Sequence, residues 1–186
     1  MAFQTIDDSA LMEALFEVFR SHGYESATLA QLAAATGLKK SSLYHRFPAG
    51  KIDMAKAVVI HVGTQLQSLL IEPLLSNKKK PEKRFSDMIA LLTNFYAGGI
   101  KNCLLNVMNI GGGNTEINAL LNKSYDAWRT ALARLAKEAG ITSKAAEERA
   151  EHFLIVVEGA LVIQRLTGNT LTFQQSMDYA QKEFFR

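Results

Sequence analysis

From Ser9 onward, Leu11, Ala14, Leu15, Val18 and Phe19 recur at three- and four-residue spacing, which puts one apolar stripe on an amphipathic helix. Asp7, Asp8 or Ser9 is placed to cap its start, where acidic side chains also suit the positive end of the helix dipole. Gly23 is expected to stop it. A second helix begins at Thr28, whose hydroxyl caps the first turn while Gln31 reaches back, a Thr-x-x-Gln capping box, and Gly37 ends it. After so short a turn the next helix must cross the second steeply, because Leu29, Leu32, Ala33 and Leu38 are buried only if both pack on the first. That is the helix-turn-helix pattern. In the third helix Leu43 and Phe47 lie one turn apart and face inward. At about 100° per residue, Ser41 and His45 then centre the outward face, with Ser42 and Tyr44 beside them and Lys39 and Lys40 at the N-terminal end.

Pro48 closes this helix, and Lys51 opens a long one to about Glu72 with Met54, Ala57, Val58, Val62, Leu66, Leu69 and Leu70 on its apolar side. Pro73 and the Lys78-Lys79-Lys80-Pro81 run are expected to break it as a solvated loop. Helices follow from about Glu82 to Tyr96, from Glu116, capped by Thr115, to about Ala139, and from Thr142 or Ser143 to about Thr167. A last one starts at a second capping box, Thr172-x-x-Gln175. Between them, Asn102-Cys103-Leu104-Leu105-Asn106 runs into Gly111-Gly112-Gly113, read as a flexible connection rather than an anion cradle. No alternating strand pattern appears, so the chain is expected to be all-α. Residues 1–50 are expected to form a three-helix helix-turn-helix DNA-binding domain, and residues 51–186 a larger helical domain.

Composition narrows the class. A chain of 186 residues that is 48% hydrophobic can bury a sizeable core. The apolar run Phe153–Ile163 spans 11 residues, short of the roughly 20 that a membrane helix requires, so no membrane association is expected. The N-terminus carries Asp7, Asp8 and Glu13 without Lys or Arg, unlike a signal peptide, and one cysteine, Cys103, allows no intrachain disulfide. Both point to the cytoplasm. Charge is concentrated: Thr28–Lys51 holds Lys39, Lys40, Arg46 and Lys51 with no acid, a balance of +4 in a chain whose total is +3. Scattered His22, His61 and His152 lack zinc-ligand spacing, and no nucleophile–base or paired-carboxylate arrangement stands out, so neither an enzyme, a metal site nor a cofactor is expected.

Gly23-Tyr24, Thr28, Leu32-Ala33, Gly37 and Leu43-Tyr44-x-x-Phe47 followed by a lysine resemble the TetR family of bacterial transcriptional regulators over about residues 9 to 60. Lys39 and Lys40 stand where members often have Ser or Thr at the start of the recognition helix. Pro48-Ala49-Gly50-Lys51 has one residue more than the common exit, and this resembles the LmrA/YxaF-like branch. Asn102-Cys103-Leu104-Leu105 resembles a Gly-Cys-Leu-Leu segment of several members, with Asn102 in place of the glycine.

Lys39, Lys40 and Lys51 could be plain solvated charges, but their clustering with Tyr44 on a helix-turn-helix face favours DNA contact. Thr28 and Tyr44 suit phosphate, with help from the amides at the start of the second helix. Base reading then falls to Lys40, Ser41, Ser42 and His45, with Arg46 projecting sideways in a structural role. Phe85, Met88, Leu92, Tyr96, Cys103, Asn106, Trp128, Phe153 and Glu158 would ordinarily be core or its edge. The resemblance implies that part of this set lines a cavity for an unknown small-molecule effector, lipophilic or aromatic. Cys103 reads as a small buried side chain, with a redox sensor as the sharper alternative.

The helix from about Ala146 to Leu166 is apolar on more than one face, and one monomer's core covers only one of them. A second buried interface follows, which the resemblance makes a homodimer through the last two helices. Two recognition helices about 34 Å apart would then read a near-palindromic double-stranded operator. The expected function is a ligand-released transcriptional repressor. A ligand-independent architectural or division-linked DNA binder is the alternative.

Overall fold

The computed structural model describes residues 6–108 and 115–186, so the glycine run at 111–113 lies outside the described residues. The elements are α1 (Asp8–Ser26), α2 (Leu29–Thr36), α3 (Lys40–Arg46), α4 (Lys51–Leu66), a π-helical segment (Gln67–Ile71), α5 (Glu72–Leu75), α6 (Pro81–Phe95), α7 (Leu104–Met108), α8 (Thr115–Glu138), α9 (Ser143–Thr167) and α10 (Thr172–Glu183). No strand occurs among the described residues, and the all-α expectation holds. Two compact units form: Met1–Thr64 with Leu104–Asn122, and Gln65–Cys103 with Lys123–Arg186.

In the first unit Leu11, Leu15, Phe19, Leu32, Leu43, Met54 and Val58 are buried in one cluster, joined by Leu104, Met108 and Ile117. Asp7 caps α1 by accepting the Ser9 and Ala10 amides. Gly23 does not end α1 as expected. It kinks it at φ 73°, and the helix resumes to Ser26. A Cβ on Gly23 would stand 2.7 Å from the Val107 carbonyl oxygen, so the missing side chain is what lets the backbone of α7 lie against α1. α7 itself was read as part of an irregular connection. Its five residues are too few for helical periodicity to register, and its support is tertiary.

Pro73 fails to break the chain where expected, since helical structure runs on to Leu75. The ring of a helical proline collides with the carbonyl four residues back, and its missing N–H leaves that carbonyl without a donor. The π-helical turn just before it, in which the Glu72 amide bonds the Gln67 carbonyl, absorbs the misfit. Inserting that turn shifts the apolar register, and Leu69, expected on the buried side, is 58% exposed. The continuous run Lys51–Leu75, unlike the shorter Phe153–Ile163 stretch, is apolar and long enough to span a membrane by those measures alone. Its Met54, Ala55, Val58 and Val59 are buried in the first unit's protein core.

The second unit is built on aromatic contacts. Phe85 stacks on Phe184 at 4.1 Å between ring centroids and meets Phe153 edge-on at 5.0 Å. Trp128 meets Phe153 at 6.3 Å. Buried Gln164 joins three segments: its Nε2 donates to the Gly98 carbonyl at 2.9 Å, and its Oε1 accepts the Phe173 amide at 2.9 Å. This replaces the expected second capping box. Thr172 lies inside α10, Leu171 is the N-cap without a side-chain bond, and a side chain from α9 satisfies the Phe173 amide instead. Thr142 likewise precedes α9 without capping it through its side chain. Replacing Gln164 with Leu keeps the volume and strands both backbone groups, so Gln164→Leu is expected to lower stability by about 2–4 kcal/mol in denaturant unfolding. A loss under about 0.5 kcal/mol would show that water substitutes for the side chain.

Candidate nucleic-acid interface

The interface starts from how α2 and α3 are fixed. Thr28 and Gln31 form the expected capping box: the Gln31 amide donates to Thr28 Oγ1 at 3.3 Å, and the Thr28 amide donates to Gln31 Oε1 at 2.8 Å. The Thr28 hydroxyl also donates to Gln31 Oε1 at 2.8 Å, so its hydrogen is engaged within the cap. Gly37 ends α2 in the left-handed conformation, and the chain turns into α3 at once. On α3, Leu43 is fully buried and Phe47, its C-cap, is 9% exposed. These two anchors leave the opposite face to solvent.

That face brings together most of the residues read from sequence. Lys39, Lys40, Ser41, Tyr44 and His45 are exposed and Ser42 is half-buried. Neither Lys39 nor Lys40 has an ion-pair partner among the described residues. Lys39 is the N-cap of α3 and contributes no side-chain bond to it. Arg46 projects sideways, as expected, and pairs with Asp8 at 2.7 Å, tying α3 to the start of α1 and cancelling its own charge. Lys51 is held elsewhere: its Nζ donates to the Glu25 carbonyl at 3.1 Å and lies 4.7 Å from the centre of the Tyr24 ring. Of the four basic residues in Thr28–Lys51, Lys39 and Lys40 are therefore the two whose charges stand unengaged on the outer face. Partners such as Asp8 and Glu25 lie tens of residues away and left no local signal in the sequence.

The exit from α3 positions Tyr44. Gly50 is buried at φ 71°, and a Cβ there would lie 3.1 Å from Tyr44 Cε1 and 3.9 Å from both Cδ1 and Cζ. Tyr44 packs its ring edge over this glycine while remaining 49% exposed. The turn is closed by the Gly50 amide on the Phe47 carbonyl at 2.8 Å and by the Ala49 amide on Asp53 Oδ2 at 2.8 Å. Pro48-Ala49-Gly50 is thus an ordered support beneath a tyrosine whose hydroxyl end is directed by it.

All but one of the residues read as lining an effector cavity belong to the second unit. Phe85, Met88, Leu92, Tyr96, Cys103, Trp128 and Phe153 are buried in the second unit, and Glu158 there is half-buried. Asn106 belongs to α7 in the first unit and is half-buried. The buried ones contact one another: the Trp128 indole N–H donates to Met88 Sδ at 3.5 Å, and the Tyr96 hydroxyl donates to Cys103 Sγ at 3.3 Å.

Residues 11–58 match the family model described as bacterial regulatory proteins, tetR family. A curated relative, the HTH-type transcriptional repressor ComR of Escherichia coli (strain K12), is 28% identical over 93 residues, which cover 50% of this chain. The match spans 44% of that repressor, so the chain aligns with less than half of its length. Among solved structures, a TetR transcriptional regulator from Legionella pneumophila superimposes with a TM-score of 0.85 at 16% identity, over 96% of this chain and 98% of that one. A regulatory protein TetR from Rhodobacter sphaeroides gives 0.81 at 22% identity, over 98% of each chain. At such identities the superpositions establish the fold. Residues 11–58 are thus similar to a segment of the tetR family of bacterial regulatory proteins, on a chain that has the fold of these solved structures.

Proposed function

We propose that the protein is a transcriptional repressor whose dimer holds a near-palindromic operator and releases it when a small molecule occupies the C-terminal part. The observation that carries this reading is the outer face of α3, where Lys39, Lys40, Ser41, Tyr44 and His45 stand exposed on a helix anchored from behind by Leu43 and Phe47. A helix of seven residues is about 10 Å long and enters a major groove about 12 Å wide. Lys39 and the Tyr44 hydroxyl then meet phosphates, and Lys40, Ser41, Ser42 and His45 meet base edges. Thr28 acts through its capping box, which holds the first amides of α2 toward the backbone. Lys51 reaches phosphate only by leaving the Glu25 carbonyl. In this reading residues 1–50 bind DNA and residues 51–186 bind ligand and dimerise. The Phe47-Pro48-x-Gly50-Lys51 exit supports a likeness to the LmrA/YxaF-like branch, and the proposed setting is the cytoplasm.

Dimerisation follows from α9. At about 100° per residue, buried Phe153, Val157, Ala160 and Gln164 lie on one side, while Ile155, Gly159, Val162 and Leu166 gather on the opposite side. Ile155 is 60% and Leu166 77% exposed. A second copy covers such a stripe, and Leu171 and Tyr179 near and on α10 extend it. Two-fold symmetry then sets two α3 helices about 34 Å apart. The effector, lipophilic or aromatic, favours a conformation in which that spacing is wrong.

Fluorescence anisotropy on the promoter beside the protein's own gene is expected to show salt-sensitive binding. Lys39→Ala should weaken it and reduce the slope against log salt by about one, and Tyr44→Ala should cost about tenfold. Variants that bind like the parent would contradict the assignment of α3. Gly50→Ala should lower affinity as Tyr44→Ala does, yet add little to Tyr44→Ala, because the added methyl acts by displacing the ring. Equal losses in both backgrounds would mean that only backbone strain at Gly50 matters. Ile155→Asp should raise the dimer dissociation constant by about 30-fold or more in sedimentation analysis, and an unchanged dimer would remove α9 from the interface.

A further inference from the structure

In the second unit a cleft of about 380 Å³ opens between the Gln67–Leu75 run and α6, within the size range of small-molecule sites. Its walls are apolar, with Leu70, Pro73 and Met88 beside Leu69 and Leu91. Both of these leucines are large exposed side chains. Its charged lining is Lys78, Lys79 and Arg84 against Glu72 and Asp87, one cation in excess. Lys78 has no ion-pair partner among the described residues. Lys79 and Lys83 share one carboxylate, Asp87, and hold its carboxyl below the usual carboxylate range, which leaves one of the two ammonium charges uncompensated. Beneath them Arg84 is buried. Its Nη1 donates to the Leu74 carbonyl and its Nη2 to Glu138, but its Nε–H has no acceptor. A buried charged donor left unmet is costly, and the residue that carries it lines the cleft.

We propose that this cleft binds a small amphipathic carboxylate, its anionic head toward Lys78, Lys79 and Arg84 and its apolar tail along Leu69 and Leu91. An anion supplies what the site lacks, a negative charge shared among Lys78, Lys79, Lys83 and Arg84, which outnumber the carboxylates Glu72, Asp87 and Glu138 around them. The apolar walls exclude a small inorganic anion as the preferred guest, because they would be left wet. The cleft is walled by the π-helical turn, a helical irregularity that recurs at functional sites, on the continuous helical run that begins at Lys51. That its occupancy weakens operator binding rests on the repressor reading above.

Octanoate is the probe, and Trp128, the chain's one tryptophan, is the reporter, since its indole N–H donates to Met88 Sδ and Met88 lines the cleft. Titrating octanoate into the full chain is expected to give a saturable fluorescence change. The neutral alcohol octanol, and the Lys78→Glu and Leu91→Asp proteins with octanoate, should each be weaker by about tenfold or more. Both positions are exposed, so thermal unfolding without ligand should be unchanged and certify the fold of the variants. No saturable change, or equal affinity in both variants, overturns the site. Equal affinity for octanol overturns the carboxylate assignment. A parallel operator titration separates the two claims: saturation that leaves operator affinity untouched keeps the cleft and defeats its role as the effector site.

Discussion

Burial of Leu43 and Phe47 behind α3 is the constraint on which the rest depends. A helix of seven residues does not persist in water by its own hydrogen bonds, because nucleation costs more than one turn returns. These two side chains fix it by docking in a cluster that α1 supplies with Leu11, Leu15 and Phe19 and α4 with Met54 and Val58. Once they are fixed, helical geometry alone decides that Ser41, Tyr44 and His45 face out. The capping box of α2, the Asp8–Arg46 pair and the Gly50 turn then refine an orientation that apolar burial has already set.

Electrostatics on this face are economical. Arg46 and Lys51 are engaged by the chain itself, one by a surface carboxylate and one by a carbonyl and a ring, so their cationic groups tie helices together. Lys39 and Lys40 are exposed and have no ion-pair partner among the described residues. A surface arranged so would bind through few phosphate contacts and lean on base edges and the tyrosine hydroxyl for the remainder. The second unit works differently. Aromatic packing and one buried glutamine hold it, and Arg84, whose Nε–H has no acceptor, lines a cleft.

Where the determinants are local, the sequence was legible. The stripe Leu11–Phe19, the Thr28–Gln31 box, the left-handed Gly37 and the outward arc of α3 all depend on residues within a turn or two of one another, and each was read correctly. The misses share a physical cause: a partner distant in sequence. Gly23 kinks rather than stops α1 because Val107 packs on it, α7 is too short to announce itself, and Gln164 supplants the Thr172 box from α9. Pro73 misled for another reason. Its cost was counted against a plain α-helix, whereas a π-turn accommodates it and rotates Leu69 outward. Lys51 was grouped with the outer lysines by charge and spacing, and only the fold reveals its seat on Glu25 and Tyr24.

The central claim is that α3 meets DNA through its two unengaged lysines. Acetylation footprinting by mass spectrometry tests it directly, comparing free protein with protein saturated by its promoter fragment. Lys39 and Lys40 should lose reactivity on binding, while exposed Lys144 and Lys182 in the second unit keep theirs. Unchanged reactivity of Lys39 and Lys40 in a DNA-saturated protein would contradict the account.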